Sequence, residues 1–382
     1  MKKLLVTLIS DQTIPNVQFI KEKQDEDTYF LFVSTQEMEK KGIKHWIINV
    51  CKIPDNKIIK TMVVDQFSLN DIESKLNELN YEEYEKLIVN ITGGTKIMLL
   101  AVTEFFRNFL VSEIFYLTGI KDTILQVHPQ IKQPKQHINK QITLDEYILS
   151  YGFEIQESKL SDIPFEFTKQ FFASFISEGK KYLLTFKELR RLRNEKKKKK
   201  KYEITTIGGL DTFLHTIDYP LPDCFQKEIT CQEIKYLTGG WFEEYIFYRL
   251  IHDPDNISEN NIKTGTTLRK DNTLNEFDVI FLYKGDLYTI ECKTSIINAK
   301  DDNEKRDDEK DNLMLDTIYK VTALQKNLGL KSRSSIFTLS SKEDNEVKIS
   351  HFERGDIFNI SILCREDLID PTTSIAQLLN IK

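Results

Sequence analysis

The chain lacks what several large protein classes require. Its 382 residues include five cysteines (Cys51, Cys224, Cys231, Cys292, Cys364), none in a CxxC pair. That spacing excludes a zinc ribbon and offers no disulfide framework, so a reducing, cytoplasmic setting is expected. The six histidines form no HExxH zinc signature. Positive charge is not in excess: the net charge of -6 excludes a uniformly basic nucleic-acid coat but allows a local basic patch. Long apolar runs are missing. The opening MKKLLVTLIS begins like a secretion signal, but its apolar run is short and polar DQT follows, with no small-residue cleavage site. It reads as a first strand, and no later run has the length of a membrane span. A phosphate-binding P-loop is absent as well. VNITGGTKIMLLA (residues 89–101) has its vocabulary, but Gly93 and Gly94 are adjacent and Thr95 precedes Lys96.

What is present suggests two or three domains. Residues 1 to about 130 alternate strand and helix signals. LLVTLIS, TYFLFVS, IIKTMVVDQ and KLIVNIT read as strands. IPNVQFIKEK, TQEMEKKGI, SLNDIESKLNELN and TKIMLLAVTEFFRNF read as helices between and after them. Ser68 is a good N-cap, and Ile72, Leu76 and Leu79 make one helical face. SEIFYLTG and TILQVHP close the region as a hairpin turning at Lys121 and Asp122. This order predicts an α/β domain with a mostly parallel sheet and helices on both faces, over residues 1–140.

Residues 141–235 read as a connecting helix (TLDEYILSYG) and a basic extension. FKELRRLRNEKKKKKKYE ends in six consecutive lysines, residues 196–201, and is expected to be a solvated loop or a flexible nucleic-acid contact. From 236 to 382 the pattern sharpens into a second α/β domain. GGWFEEYIFYRLI is a helix. NEFDVIFLYKGDLYTIECKTS is a β-hairpin with strands at residues 277–283 and 287–293. Residues 298–312 are a charged loop, MLDTIYKVTALQKNLGL a helix, and SSIFTLS and FNISILC later strands.

Two groups of residues carry chemistry. The first lies at two strand-to-helix junctions, SDQTIPN (residues 10–16) and TGGTKIM (residues 92–98). In a doubly wound sheet, ligands collect beyond the strand ends where the strand order reverses. Gly93 and Gly94 allow close backbone approach, and the N–H groups around Thr95 and Lys96 face an anion. Ser10, Gln12, Thr13, Asn16 and Thr92 supply neutral hydrogen bonds suited to bases and riboses. Asp11 fits such a ligand only by meeting a base amine. The second group is Asp278 on one hairpin strand with Glu291 and Lys293 on the other, twelve residues lying between Asp278 and Glu291. Alternate strand residues share a face, so Glu291 and Lys293 project together while Cys292 turns to the buried side. Paired carboxylates can hold Mg2+ or Mn2+, and the lysine can orient water and stabilise phosphorane charge. Glu243, with Glu244 in reserve, is the candidate carboxylate from the preceding helix, and Glu276 can reach the site. The proposed metal donors are thus Glu243, Glu244, Asp278 and Glu291. Lys320 and Gln325 on the following helix are candidate contacts to the substrate backbone.

The loop pair SDQTIPN and TGGTKIM resembles the signature loops of CARF domains, the Rossmann-like sensors of CRISPR systems. The spacing of Asp278, Glu291 and Lys293 resembles the PD-(D/E)xK nucleases, although Phe277 stands where the motif has proline. The Pro-Asp pairs at residues 222–223 and 254–255 read as turns. The Gly239-to-Glu243 arrangement is similar to that of restriction-like relatives. Together the halves resemble the cyclic-oligoadenylate-activated accessory nucleases of type III CRISPR systems. The resemblance implies a homodimer, cyclic tetra-adenylate as allosteric activator, a divalent metal, and cleavage of DNA and, in some members, RNA. It implies that Ser10, Gln12, Thr13, Asn16, Gly93, Gly94, Thr95 and Lys96 bind the ring. Three alternatives stay open: a CARF transcription regulator using FKELRRLRN as a DNA-reading helix, a stand-alone ring nuclease, and a metal-free HEPN-type ribonuclease. The last is disfavoured, because only two residues separate Arg249 from His252.

Overall fold

The computed structural model describes residues 1–119, 123–195, 200–220, 227–252, 257–295 and 308–381. The expected turn at Lys121 and Asp122, the two Pro-Asp pairs, most of the lysine run and much of the charged loop lie outside them. The chain divides into two compact units. One is Met1–Glu154 with Asn327–Lys331, and the other is Ile155–Lys326 with Ser332–Lys382.

The first unit is built on seven strands: β1 (Lys3–Leu8), β2 (Thr28–Ser34), β3 (Ile58–Val63), β4 (Lys86–Asn90), β5 (Ser112–Leu117), β6 (Thr123–His128) and β7 (Lys135–His137). Their order is β3-β2-β1-β4-β5-β6-β7. The first five pair in parallel, and the last two are antiparallel additions. The central strands β1, β2 and β4 are buried on both faces, which explains their continuous apolar runs, while the edge strand β3 is mostly half-buried or exposed. Leu4, Val6 and Leu8 share a core with Ile72 and Leu76 of the helix Leu69–Leu76 and with Met98, Val102 and Phe106 of the helix Lys96–Arg107. On the opposite face Phe19, from the helix Ile14–Lys23, meets Phe115 with ring centroids 5.6 Å apart. A helix at Ile43–Cys51 escaped the sequence reading. Its left-handed Gly42 leads in without a side-chain cap, so the usual start signal is missing.

In the second unit the main sheet runs β15-β14-β13-β12-β11-β8. Its strands are β8 (Glu154–Glu157), β11 (Ile262–Lys270), β12 (Thr273–Tyr283), β13 (Asp286–Lys293), β14 (Ser332–Thr338) and β15 (Ile360–Leu363). The short strands β9 (Lys201–Glu203) and β10 (Glu228–Thr230) pair apart from it. The hairpin forms as read, with Val279 opposite Ile290 and Tyr283 opposite Asp286.

The basic extension differs from expectation. FKELRR and its neighbours form a helix, Leu183–Arg193, with Thr185, Phe186, Leu189 and Leu192 buried. Phe167, Phe171 and Phe172 of the helix Phe165–Glu178 enter the same core as Trp241, Phe242, Val279 and Ile290. Residues 155–235 therefore supply part of the nuclease-side core. Interleaved charges had hidden the apolar stripe. Lys201, at the end of the lysine run, begins a strand.

Candidate active site and ligand cradle

In the first unit β1 and β4 are neighbours at the point where the strand order reverses. The loops at residues 9–13 and 91–95 follow these two strands, which is where such sheets bind ligands. Thr7 ties the loops together: its Oγ1 accepts from Asn16 Nδ2 at 3.2 Å and from Asn90 Nδ2 at 3.0 Å. Asn16 also donates to the Leu8 carbonyl at 2.8 Å and is wholly buried, so it braces the end of β1 from beneath. Thr13 is equally buried. Asn90 Oδ1 accepts from the Thr92 N–H and hydroxyl, and Thr92 Oγ1 accepts from the Leu117 N–H. Thr95 caps the helix Lys96–Arg107 by accepting from the Met98 N–H at 3.2 Å.

Gly93 is required by contact: an added Cβ would lie 2.2 Å from the Leu8 carbonyl oxygen. Gly94 is required by conformation, with φ of 73°. Lys96 is exposed at the helix start and forms no ion pair among the described residues. Ser10 donates to the Gln12 carbonyl at 3.3 Å. Asp11 pairs with Lys41 at 2.9 Å, which removes the need for a base amine to balance it. Gln12 Oε1 accepts from the Tyr151 hydroxyl at 3.3 Å and from the Leu330 N–H at 3.0 Å, all within the first unit.

In the second unit Glu243, Asp278, Glu291 and Lys293 line one open cleft of about 990 Å³, joined by Glu276 and Lys320. Tyr288, Ile290 and Cys292 pack into the main core, so Glu291 and Lys293 emerge on the other face of β13. Lys293 Nζ lies 2.5 Å from Glu291 Oε1 and 3.9 Å from Asp278 Oδ2. The Cys292 N–H donates to Asp278 Oδ2 at 2.7 Å, fixing that carboxylate across the hairpin. Lys320, on the helix Asp308–Gln325, reaches Glu291 Oε1 at 2.9 Å. Gln325 instead donates to the Ser332 carbonyl.

Glu243 and Glu244 separate clearly. Glu244 accepts from the Ser161 N–H at 2.7 Å and hydroxyl at 2.8 Å and is buried, so it serves that turn and does not line the cleft. Glu243 hydrogen-bonds to nothing among the described residues. Its helix, Trp241–His252, is apolar almost all round, so periodicity gives no exposed face to choose by. Trp241 anchors it, fully buried against Phe171 and Phe175. Trp241→Ala is expected to cost about 3–5 kcal/mol, read as a lower denaturation midpoint.

The charges are unevenly balanced. Burial and the neighbouring Asp278 push the Glu243 carboxyl up to about 8. Burial and Glu291 push Asp278 up to about 6. Burial opposes ionisation of Glu291 too, but Lys293 and Lys320 outweigh it and hold that carboxyl below its usual range. Burial would lower Lys293, yet Asp278 and Glu291 raise it, so it stays a cation. Folded Glu243 thus holds its proton to higher pH than the unfolded chain does, and stability falls as pH rises from about 4.5 to about 8. Glu243→Gln should therefore melt several degrees above the wild type at pH 8 in EDTA. That advantage should vanish near pH 4.5 in a melting series.

Among the described residues no three acidic, histidine or cysteine groups form a ready metal cage. The donor set still suits a hard cation. Glu243 and Asp278 are oxygen donors whose ionisation is opposed, that of Glu243 by burial and Asp278 and that of Asp278 by burial and Glu291, and Mg2+ takes only one or two carboxylates, with water and phosphate completing its shell. Arg249 is committed elsewhere: it donates to the carbonyls of Leu368, Asp370 and Thr373. His252 stacks on Phe165. This pair holds the fold and provides no metal-free ribonuclease site.

A Rossmann-like domain with a polar loop pair at its switch point, followed by a carboxylate–lysine cleft on a mixed sheet, defines a ligand-sensing nuclease. Residues 4–147 match the model of the Card1 CARF domain, and residues 231–367 match the Card1-like endonuclease domain. The chain thus carries a CARF domain of the Card1 type followed by a Card1-like endonuclease domain. Three solved structures are similar in fold. Can2 from Sulfobacillus thermosulfidooxidans, in complex with cyclic tetra-adenylate, is 21% identical with a TM-score of 0.71, covering 98% of this chain and 99% of that one. Protein VC1899 from Vibrio cholerae is 17% identical with a TM-score of 0.74, covering 99% and 98%. A type III CRISPR defence DNA nuclease activated by cyclic oligoadenylate is 16% identical with a TM-score of 0.52; the match covers 89% of this chain and 45% of that one. No curated protein matches the chain in sequence. Among the described residues no helix is long and apolar enough to cross a membrane.

Proposed function

We propose that the chain is a metal-dependent nuclease switched on by a cyclic oligoadenylate, cyclic tetra-adenylate first, and that it works as a homodimer in type III CRISPR defence, cutting DNA, with RNA as the second substrate to test. The observation that carries this reading is the meeting of Asp278, Glu291 and Lys293 in one cleft with Glu243, inside the segment that matches the endonuclease model. The ligand follows from the CARF match and from the Can2 complex with cyclic tetra-adenylate.

A bound Mg2+ or Mn2+ would polarise the phosphodiester and lower the pKa of a water. Glu243, Asp278 and Glu291 would hold it. Lys293, kept cationic by its two carboxylates, is suited to neutralising charge on the phosphorane and to orienting water, and is poorly suited to removing a proton. Lys320 shares Glu291 and must yield part of that contact when a cation arrives. In the first unit Lys96 and the helix N-terminus face phosphate, and the exposed backbone at Gly94 lies open to the ring, while Gly93 is buried against the end of β1. Asn16 and Thr13 support the loop from below.

Activation requires the ligand to favour one state over another. The Gln12 contact offers a route. The Asn327–Lys331 segment that it holds follows directly on the helix carrying Lys320 and precedes β14. Gln12→Ala should narrow the ratio of cleavage rates with and without ligand by roughly fivefold or more, a typical coupling energy; an unchanged ratio would remove Gln12 from the switch.

The decisive experiment is a cleavage panel on single-stranded DNA, duplex DNA and RNA. It uses cyclic tri-, tetra- and hexa-adenylate, with Mn2+ or with EDTA. Ligand-dependent, EDTA-sensitive cutting is expected. A ligand-bound protein that never cuts would favour the transcription-regulator alternative. Consumption of cyclic tetra-adenylate without other cutting would favour a ring nuclease.

A further inference from the structure

The helix Leu183–Arg193 carries Lys187, Arg190, Arg191 and Arg193 along the wall of the catalytic cleft. Their charges are handled differently. Arg191 is balanced by Glu188 and Glu195, at 2.6 and 2.7 Å. Among the described residues Arg190 hydrogen-bonds to a hydroxyl, its Nη2 donating to Thr294 Oγ1 at 3.3 Å. Arg193 likewise donates from Nη1 to Thr238 Oγ1 at 3.3 Å. Neither arginine hydrogen-bonds a carboxylate among the described residues. Burial and the neighbouring Arg193 both press Arg190 away from its charged form.

A guanidinium has five N–H donors in a planar fork, and taking it out of water without a counter-charge is costly. Two such groups side by side, each engaged by one weak hydroxyl acceptor, are the arrangement that an oxyanion relieves. Thr294 directly follows Lys293 in sequence, so the Arg190 fork sits one residue beyond the catalytic strand. Glu243 and Glu276 sense the charge of Arg193 through space, without a hydrogen bond to it among the described residues. The carboxylates bear on the reacting phosphate, and the arginines stand beside them.

We propose that Arg190 and Arg193 form a phosphate seat that grips the nucleic-acid backbone next to the phosphodiester being cut. The inference deepens the nuclease reading and names positioning residues for it. Backbone grip of this kind carries no sequence information, in keeping with a defence enzyme that is selected by its activator. It also gives the helical part of the basic stretch, residues 183–193, a place in the cleft; the lysine run after it lies mostly outside the described residues.

The test uses the full chain with cyclic tetra-adenylate and Mn2+, comparing wild type, Arg190→Gln, Arg193→Gln and Arg190→Lys. Cleavage is followed under single turnover across substrate concentration. Nucleic-acid binding is followed separately across salt concentration, with Ca2+ replacing Mn2+. For each Gln variant the half-saturating substrate concentration should rise about tenfold, while the saturated rate stays within about threefold. The slope of log affinity against log salt should become shallower by about 0.7–0.9 per arginine. Arg190→Lys should restore the salt slope but only part of the affinity, since a lysine is a point charge without the fork. Unchanged slope and half-saturation in both Gln variants would overturn the seat. So would a lowered melting temperature with an unchanged slope, which marks a purely structural cation. If the wild type binds with the predicted slopes but never cuts, the seat stands and the nuclease reading falls.

Discussion

Asp278→Asn is expected to reduce cleavage by about three orders of magnitude or more. Cation-assisted phosphodiester hydrolysis draws several kcal/mol of transition-state stabilisation from its metal site, and each 1.4 kcal/mol or so is tenfold in rate. Asp278 is held in position across the hairpin by the Cys292 N–H. Glu291→Ala should be as damaging, and it would also leave Lys293 and Lys320 without their shared partner. Asparagine at 278 removes a charge that burial and Glu291 already oppose, so the metal-free variant should melt no lower than the wild type. Loss of cutting with an intact melt is the expected pair of results in a single-turnover assay with ligand and Mn2+. Cutting that survives both substitutions would place the chemistry elsewhere.

Gly93→Ala should have the second-largest effect, and at the other end of the signalling chain. The new Cβ would lie 2.2 Å from the Leu8 carbonyl oxygen, a backbone atom that cannot step aside without moving the end of β1. The loops after β1 and β4 would be forced apart, and Thr7, which bonds both Asn16 and Asn90, would lose one of them. The half-activating ligand concentration is expected to rise about 100-fold, with a lower melting temperature for the first unit. Lys96→Ala separates recognition from folding. Its exposed side chain forms no hydrogen bond or ion pair among the described residues, so the melt should hold. Loss of a charge-assisted contact to phosphate, worth about 1.5–3 kcal/mol, should raise the half-activating concentration about 10- to 100-fold, as read by titration calorimetry. An unchanged ligand response in Lys96→Ala would remove Lys96 from the cradle.

Much of this was legible in the residue order. Buried parallel strands and amphipathic helices have different periods, so the βα alternation of the first unit could be read directly. The hairpin over 277–293 was equally plain, because Lys284, Gly285 and Asp286 separate two largely apolar runs. Other features resisted. The helix Leu183–Arg193 hides Phe186, Leu189 and Leu192 among six charged or polar neighbours. Its role depends on a cleft assembled from strands about 100 residues away. Glu243 and Glu244 are adjacent on a helix with no polar face, and only the Ser161 turn distinguishes them. Gln12 reaches Leu330 across 318 residues, a contact no local pattern encodes.

The sequence by itself determined the two α/β domains, the paired loops at the ends of β1 and β4, and the Asp278, Glu291 and Lys293 spacing. These are local properties: strand period, turn chemistry, and the fixed geometry of a hairpin. Tertiary structure alone decided which carboxylate joins the site, which cations already have partners, and which loop residues are buried braces. Burial and charge neutralisation depend on groups distant in sequence, and they exist only once the chain has folded.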